Sequence, residues 1–291
     1  ESARELFCAG VTGTNGKTSI CYMIECILQE FGWPTGVLGT IDHHMGKHKW
    51  TSSLTTPGSL VLHERLKQFV ALGARAAVFE VSSHALEQKR ADNIPFDAIV
   101  FTNLTRDHLD YHGDINEYFK VKERLFKGVI LKSDKLIRTA VINTDDEYGR
   151  QIEVADGVHV WTYGKESADF KFHIVNESFA ATVFQLATPR GKTEIRLPLI
   201  GEHNVYNATA ALCVGLAAGA SLDVCKSALE GFAGIPGRLQ KVANSRDLKI
   251  FVDYAHTDDA LRSVLSVLSG IRNESGMSGK LVTVFGCGGD R

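Results

Sequence analysis

A glycine-rich run, GVTGTNGKT at positions 10–18, lies between a short apolar segment and a stretch whose apolar residues recur at helical spacing. A strand, such a turn and a helix in this order are typical of a phosphate-binding loop, because the turn's N–H groups and the positive end of the helix point at the same anion. In such a loop Lys17 reaches the β- and γ-phosphates and the Thr18 hydroxyl binds Mg²⁺. The strict pattern has glycine where Val11 stands, so the run is a variant. We predict ATP as the ligand, and the loop alone leaves GTP open.

The first half of the chain alternates apolar runs with helical stretches. The predicted strands lie at 7–11, 35–40, 76–81, 98–103 and 140–143, and the predicted helices include 20–31, 60–72 and 115–126. Alternation of this kind is typical of a parallel sheet covered by helices on both faces. We therefore expect an α/β fold built on a P-loop-type parallel sheet.

Beyond residue 157 the helical pattern gives way to runs in which apolar and polar residues alternate. The runs at 170–175, 180–187 and 193–199 are typical of strands with one buried face, and they predict a small antiparallel sheet. A further helix is expected at about 204–218.

A linker is expected at residues 232–238, where the sequence FAGIPGR combines glycines with a proline. Beyond it the pattern predicts a strand at 249–254, a helix with apolar residues recurring between 261 and 271, and a strand at 280–285. These elements indicate the start of a second, Rossmann-like α/β domain.

We predict a nucleotide-binding domain of residues 1–237 and the first part of a carboxy-terminal domain at residues 238–291. The chain opens at Glu1 without a basic-then-apolar leader, and it stops at Arg291 soon after a predicted strand. Both ends are therefore expected to be cuts through a longer protein.

Composition excludes several classes of protein. The 32 basic and 34 acidic residues give a net charge of -2, which supplies no field for gripping a nucleic-acid backbone. No apolar run approaches the roughly 20 residues that span a bilayer, so a membrane protein is excluded. The six cysteines form no C-x-x-C pair, which predicts reduced thiols and a cytoplasmic location rather than a zinc site or a disulfide framework.

Two titratable residues follow predicted strands, at the edge where open α/β sheets bind ligands. Glu80 supplies a carboxylate, which suits Mg²⁺, and His108 can reach the same edge. The sequence SSH at 82–84 pairs serine with histidine, but no G-x-S-x-G turn surrounds it, which disfavours a hydrolase. Lys122 lies on a predicted helix, where most lysines are solvated, and its spacing alone indicates no role.

Short runs spread over nearly the whole chain carry a family resemblance. They are TGTNGKTS, LTTPGS, EVSSHALEQKR, FTNLTRDHLDYH, YFKVKERLF, GEHNVYNATAA, GIPGRLQ, VDYAHTDDAL and VFGCGGDR. Together they resemble the Mur ligase family, and the combination of EVSSHAL, DHLDYH and YAHT is more specific than the phosphate loop. They are most similar to the members that add the third amino acid to the bacterial wall precursor UDP-N-acetylmuramoyl-L-alanyl-D-glutamate.

The resemblance implies which residues bind ATP. Asn207 would contact the adenine, Arg238 the phosphates and Asp253 the ribose. The complete implied set is Gly13, Thr14, Asn15, Gly16, Lys17, Thr18, Ser19, Asn207, Arg238 and Asp253.

The resemblance also implies two Mg²⁺ ions and a catalytic group formed by Lys17, Glu80, His108 and Lys122. Thr18 and Glu80 would hold one ion. His108 and Lys122 would serve the other, with Lys122 carbamylated on its amine. A neutral lysine amine takes up CO₂, and the resulting carbamate is an oxygen-ligand anion that suits Mg²⁺.

By the same resemblance, hydroxyl, amide and guanidinium groups would hold the phosphates and carboxylates of the sugar-peptide. They belong to Thr55, Thr56, Ser82, Gln88 and Arg90. Two departures stand out: the family's TPDAL is TDDAL at 257–261, and the regions that bind the uridine end and select the incoming amino acid are absent from this sequence.

The reaction that the resemblance implies forms an amide at the expense of ATP. The γ-carboxylate of the D-glutamate residue attacks the γ-phosphate, and the amine of a diamino acid then attacks the acyl phosphate. We expect meso-diaminopimelate, with L-lysine as the alternative, and a monomer. The competing hypotheses are a sister ligase that adds D-glutamate, folylpolyglutamate synthetase, and a P-loop regulatory protein that hydrolyses nucleotide slowly. LTTP and EVSSHALEQKR argue against both competing ligases.

Overall fold

The computed structural model describes residues 2–246, 248–256, 258–276 and 279–286. Its α-helices are α1 (Ser2–Glu5), α2 (Lys17–Glu30), α3 (Ser59–Ala71), α4 (Ser83–Glu87), α5 (Leu109–His112), α6 (Ile115–Arg124), α7 (Glu202–Ala217), α8 (Leu222–Glu230) and α9 (Asp258–Glu274). Its strands are β1 (Phe7–Thr12), β2 (Thr35–Leu38), β3 (Asp42–Met45), β4 (His48–Thr51), β5 (Ala76–Glu80), β6 (Ala98–Phe101), β7 (Thr139–Asn143), β8 (His159–Gly164), β9 (Phe170–Glu177), β10 (Thr182–Thr188), β11 (Gly191–Leu197), β12 (Gln240–Val242) and β13 (Ile250–Val252). A π-helical turn, Leu125–Val129, continues α6.

One large sheet contains β1 to β11 in the order β11-β10-β9-β8-β7-β6-β1-β5-β2-β3-β4. Neighbouring strands from β9 to β2 run parallel, which confirms the parallel sheet that the alternating pattern predicts. The predicted antiparallel strands are β9, β10 and β11, and they continue the main sheet through β8. At the opposite edge, β3 and β4 form an antiparallel hairpin that the pattern does not predict.

Helices cover both faces of the sheet, as expected for this class of fold. On one face, α2, α7 and α8 pack in a buried cluster with Ala9 and Val11 of β1. On the other, α3, α4 and α6 share a cluster with Cys8 of the same strand. Successive strand residues therefore point into two separate cores, which explains why the central part of these strands is apolar on both faces.

Beyond the linker, β12 and β13 form a two-stranded antiparallel sheet, and α9 packs through Leu268 and Ile271 against Leu239. The strand predicted at 280–285 is wrong, because residues 279–286 have no regular secondary structure. Among the described residues no strand pairs with this segment, and the Val284 side chain is 93% exposed. An apolar run forms a strand only where a partner takes its N–H and C=O groups.

Two expectations from composition concern the described part of the chain. The cysteines found as free thiols are Cys8, Cys21, Cys26, Cys213 and Cys225. Cys287 lies outside the described residues, as does Thr257 of the TDDAL run. Within the described ranges, no helix is long and apolar enough to cross a membrane.

Candidate active site

The loop between β1 and α2 has a backbone that only glycine fits at two points. Gly13 and Gly16 have φ angles of 142° and 90°, in the region that side chains rarely adopt. A Cβ at Gly13 would collide with the Thr102 hydroxyl, and one at Gly16 would lie 2.5 Å from Oδ1 of Asn207. The glycines therefore allow the loop to approach both β6 and α7 closely.

Thr102 and Asn103, which follow β6, hold the phosphate loop through hydrogen bonds. Thr14 N donates to the Asn103 carbonyl (2.8 Å), and Asn15 N donates to the Asn103 side-chain oxygen (2.9 Å). The Thr102 hydroxyl donates to the Asn15 carbonyl (2.6 Å). Thr102 and Asn103 thus preorganise the phosphate loop, a role that the sequence motif does not reveal because their partners are 87 to 89 positions away.

Lys17 curls back over the loop that precedes it. Its Nζ donates to the carbonyls of Gly13 (2.9 Å) and Thr14 (2.8 Å). Burial lowers the pKa of Lys17, and the charge of Glu80 partly opposes that effect. The ammonium group therefore lies inside the loop, where a bound phosphate would find a cation with little water around it.

Glu80 ends β5 and is buried beside the loop. Its Oε1 accepts hydrogen bonds from the Thr18 hydroxyl (2.9 Å) and from Thr40 N (2.8 Å), and its Oε2 accepts one from the Thr40 hydroxyl (3.0 Å). The structure therefore brings together Thr18 and Glu80, the hydroxyl and the carboxylate expected to share a metal. Thr40, which orients the carboxylate, follows β2 and carries no motif in the sequence.

Lys122 is 1% exposed and its Nζ donates to the Gly13 carbonyl (3.0 Å), the same oxygen that Lys17 contacts. The Nζ also lies 4.5 Å from the centre of the Tyr118 ring. Burial, and then the charge of Lys17, lower the pKa of Lys122 well below its ordinary value. Burial and the neighbouring positive charge therefore favour the neutral form of this amine, an environment that helical spacing alone does not predict.

His108 is partly exposed and adopts a positive φ of 53°. Its Nε2 lies 3.4 Å from Oδ2 of Asp107, and its ring centre is 5.0 Å from that of His84. Burial lowers the pKa of His108, while Asp107 opposes this shift. The neutral imidazole is the form that binds metals.

The donor types fit the implied Mg²⁺ sites, since a hard cation takes a carboxylate, a hydroxyl and a carbamate as oxygen ligands. Within the described ranges, no group of three or more histidine, cysteine, aspartate or glutamate side chains is arranged to hold a metal on its own. Substrate phosphates and water would therefore complete the coordination, as is usual for Mg²⁺.

The residues expected to bind the sugar-peptide converge where β5 ends. The Thr56 hydroxyl donates to the Glu80 carbonyl (2.7 Å) and accepts from Ser82 N (3.0 Å). Arg90 donates from Nη1 to the Thr56 carbonyl (2.8 Å) and from Nε to Oε1 of Gln88 (2.9 Å). The remaining member is Thr55, whose hydroxyl lies 3.1 Å from the Thr40 hydroxyl. Ser82 also caps α4, so it has a structural role as well.

The nucleotide-binding candidates beyond the loop differ in how close they come to it. Asn207 is buried next to Gly16, and Nη2 of Arg238 lies 3.5 Å from the Thr18 hydroxyl. The Asp253 carboxylate instead accepts from the backbone N–H groups of Leu239 (2.6 Å) and Ala255 (2.7 Å). Asp253 thus holds the backbone that directly follows the linker, and among the described residues its side chain makes no hydrogen bond to the phosphate loop.

Comparison with known proteins gives a consistent family. Residues 11–215 match the model of the Mur ligase middle domain, and residues 237–291 match that of the Mur ligase, glutamate ligase domain. A UDP-N-acetylmuramoyl-L-alanyl-D-glutamate–2,6-diaminopimelate ligase from Geobacter sulfurreducens is 44% identical over 285 residues, which cover 97% of this chain and 55% of the relative. The enzyme of the same name from Thermosynechococcus vestitus is 40% identical over 293 residues, with coverage of 99% and 57%.

Solved structures agree with these matches. A UDP-N-acetylmuramoyl-L-alanyl-D-glutamate–2,6-diaminopimelate ligase superposes with a TM-score of 0.81 at 34% identity, covering 98% of this chain and 57% of that one. A folylpolyglutamate synthase from Mycobacterium tuberculosis has a TM-score of 0.73 at 21% identity, over 93% of this chain and 68% of its own, which shows a shared fold alone. This chain spans a little over half the length of the curated relatives it matches. The resemblance that the short runs carry is therefore confirmed, and the chain belongs to the Mur ligase family.

Proposed function

We propose that this chain forms the catalytic centre of an ATP-dependent ligase that adds a diamino acid, meso-diaminopimelate, to UDP-N-acetylmuramoyl-L-alanyl-D-glutamate. The observation that carries the proposal is the convergence of Lys17, the Thr18–Glu80 pair and the buried amine of Lys122 around one phosphate loop. The names of the relatives support the choice of substrate. We place the protein in the cytoplasm, as a monomer that binds neither nucleic acid nor membrane.

In the proposed mechanism, the γ-carboxylate of the D-glutamate residue forms a bond to the γ-phosphorus of ATP while the bond to the β-phosphate oxygen breaks. The product of this step is an acyl phosphate. The amine of the diamino acid then attacks the carbonyl carbon of the acyl phosphate, so that an amide bond forms, phosphate leaves and the amine loses a proton. Lys17 places a positive charge at the transferred phosphoryl group, and the loop N–H groups orient the phosphates.

Thr18 and Glu80 would hold one Mg²⁺, and His108 with the carbamate of Lys122 would hold a second. When bound, these ions neutralise the negative charge that develops during phosphoryl transfer. Arg90 donates to the backbone beside Glu80, so it is placed to orient a carboxylate or phosphate of the sugar-peptide at the sheet edge.

Phosphate release from the full-length protein tests the reaction. With ATP, Mg²⁺ and the UDP-muramoyl dipeptide, we expect strong stimulation by meso-diaminopimelate and little by L-lysine or without an amino acid. A ligase needs the acceptor amine to turn over, whereas a nucleotide switch does not. Stimulation by L-lysine instead would change the substrate, and equal release in all three reactions would contradict the ligase.

Replacing Arg238 with alanine is expected to lower kcat/KM for ATP about 10- to 100-fold, the value of a charged hydrogen bond. Arg238 belongs to the linker, yet its guanidinium reaches Thr18 and lies 5.0 Å above the Tyr254 ring. It would therefore contact the phosphates when the carboxy-terminal part closes over the loop.

A matched control for this variant is Arg246→Ala, at an exposed position beyond β12. This variant is expected to leave kcat/KM for ATP unchanged. Unchanged turnover in the Arg238 variant would rule out closure through this residue. The domain boundary between residues 237 and 238 also remains a prediction.

A further inference from the structure

A histidine outside the expected site bridges two acidic side chains. His44, on β3, is 7% exposed. Its Nδ1 lies 2.6 Å from Oδ1 of Asp42, and its Nε2 lies 3.0 Å from Oε2 of Glu25 on α2. A neutral imidazole has one N–H group and can donate to only one carboxylate, whereas an imidazolium donates to both. The double contact therefore fits a charged bridge between the hairpin and the helix.

These contacts close a ring of residues around Glu80. Glu25 lies about two helical turns after Thr18 on α2, so both residues face the same strand region. The Asp42 carbonyl accepts from Gly39 N (3.3 Å), and the next residue, Thr40, donates twice to the Glu80 carboxylate. Thr18 also donates to that carboxylate, at the same Oε1 that accepts from Thr40 N.

Little space is left inside this ring. A Cβ at Gly39 would collide with the Glu80 carboxylate, so the turn at residues 39–42 packs directly against it. A shift of the turn relative to α2 would therefore move Thr40 against Thr18 and reorient Glu80 between them.

We propose that Glu25, Asp42 and His44 form a positioning clamp that fixes the Glu80 carboxylate relative to the phosphate loop and so sets the affinity for a divalent cation with nucleotide. The clamp touches neither the loop nor the carboxylate. It acts by locking the β2–β3 turn, which carries Thr40, to the helix that carries Thr18. The inference rests on the proposed function, because it assumes that Glu80 serves a metal bound with nucleotide.

The charged and titratable groups that face His44 come from three elements. They are Tyr22 and Glu25 on α2, Asp42 and His43 on β3, and Lys49 on β4. Burial lowers the pKa of His44, but the hydrogen bonds and charges of Glu25 and Asp42 outweigh it, so the net shift is upward. Burial raises the pKa of Asp42, but the hydrogen bonds and charges of His44 and Lys49 outweigh this effect, so the net shift is downward.

Binding of ADP with and without Mg²⁺, measured by titration calorimetry on the full-length protein, tests the clamp. In His44→Leu and in Glu25→Gln, the affinity gained on adding Mg²⁺ is expected to fall about tenfold, the usual effect of removing a group that orients a metal ligand. Affinity for ADP without Mg²⁺ is expected to change less than about twofold, because Lys17 and the loop keep their contacts.

The matched control is His48→Gln, on the same hairpin, where the side chain is exposed; it is expected to bind like wild type. Glu25→Gln preserves shape and decides the question if His44→Leu does not fold. An equal loss with and without Mg²⁺, or none in either variant, would overturn the clamp. If the wild type shows no ligase turnover but the two variants still lose only the Mg²⁺-dependent part of the ADP affinity, the proposed function is rejected and the clamp is retained.

A pH series supplies a second readout. Because the pKa of His44 is raised, its stabilisation is fully present below the ordinary value of 6.5 and is lost as the pH rises through the folded value. Because the pKa of Asp42 is lowered, its stabilisation is present above 3.8 and is lost on acidification. The Tm difference between wild type and His44→Leu is therefore expected to be largest below the ordinary value of 6.5 and to shrink as the pH is raised above it. A constant difference would contradict a charged bridge.

Discussion

Replacing Lys17 with alanine is expected to reduce acyl-phosphate formation about 10³-fold, a loss typical of removing a preorganised charge from the transition state of a transfer reaction. The Lys17 ammonium lies 2.9 Å and 2.8 Å from two carbonyls of the loop, so its position is set before any nucleotide binds. The charge gained by the transferred group is largest in the transition state, and the effect should therefore fall on kcat more than on the affinity for ADP.

Phosphate release at saturating ATP, together with ADP binding, measures this split in the full-length protein. Lys67→Ala, at an exposed position on α3, is the matched control and should retain full turnover. Turnover of the Lys17 variant within about tenfold of wild type would show that this lysine does not carry the phosphoryl charge.

The centre of the fold follows from the sequence because its strands are buried on both faces. The runs 76–81 and 98–103 are apolar over residues 76–79 and 98–101, and each becomes a parallel strand beside β1. The β3–β4 hairpin is not predicted, because its sequence lacks the apolar run that marks a buried strand. Its sequence, 42–51, is rich in charged and histidine residues, and His44 becomes buried only because Glu25 and Asp42 pair with it.

The segment at 280–285 shows the limit of reading an apolar run as a strand. Its composition matches a buried strand, but a strand also needs neighbours for its backbone groups, and β12 and β13 pair only with each other among the described residues. Local sequence reports the preference of a segment, and long-range pairing decides whether the preference is realised.

The candidate site divides in the same way. Lys17 and Thr18 are evident from a motif, since contiguous residues build the loop. Thr40, Thr102 and Asn103 act through hydrogen bonds to residues that are far away in sequence, and no local pattern marks them. Family resemblance singles out Lys122, whereas its helical spacing indicates an ordinary surface lysine.

The environment of Lys122 is unfavourable for a second ammonium group. Its Nζ and that of Lys17 both donate to the Gly13 carbonyl, and one oxygen cannot compensate two buried positive charges. Burial and the charge of Lys17 lower the pKa of Lys122, which favours the loss of one of these charges. A carbamate would go further, because it would replace a cation with an anion beside Lys17 and would supply oxygen ligands for the proposed second cation.

Replacing Lys122 with alanine is therefore expected to lower ligase turnover at least about 10²-fold, since the variant lacks the carbamate that we propose as a ligand of the second cation. The proposed carbamate would form when the Lys122 amine makes an N–C bond to CO₂ and gives up a proton, so removing dissolved CO₂ should depress activity and bicarbonate should restore it. Carbon-13 bicarbonate should give a carbamate resonance in wild type that is missing from the variant.

The matched control is Lys120→Ala, on the same helix, where the ammonium is exposed and pairs with Glu117. This variant is expected to keep both the carbamate resonance and full turnover. A wild-type protein without the resonance would refute the modification. Full turnover in the Lys122 variant would refute its role, because the buried amine would then be only a packing element under the loop.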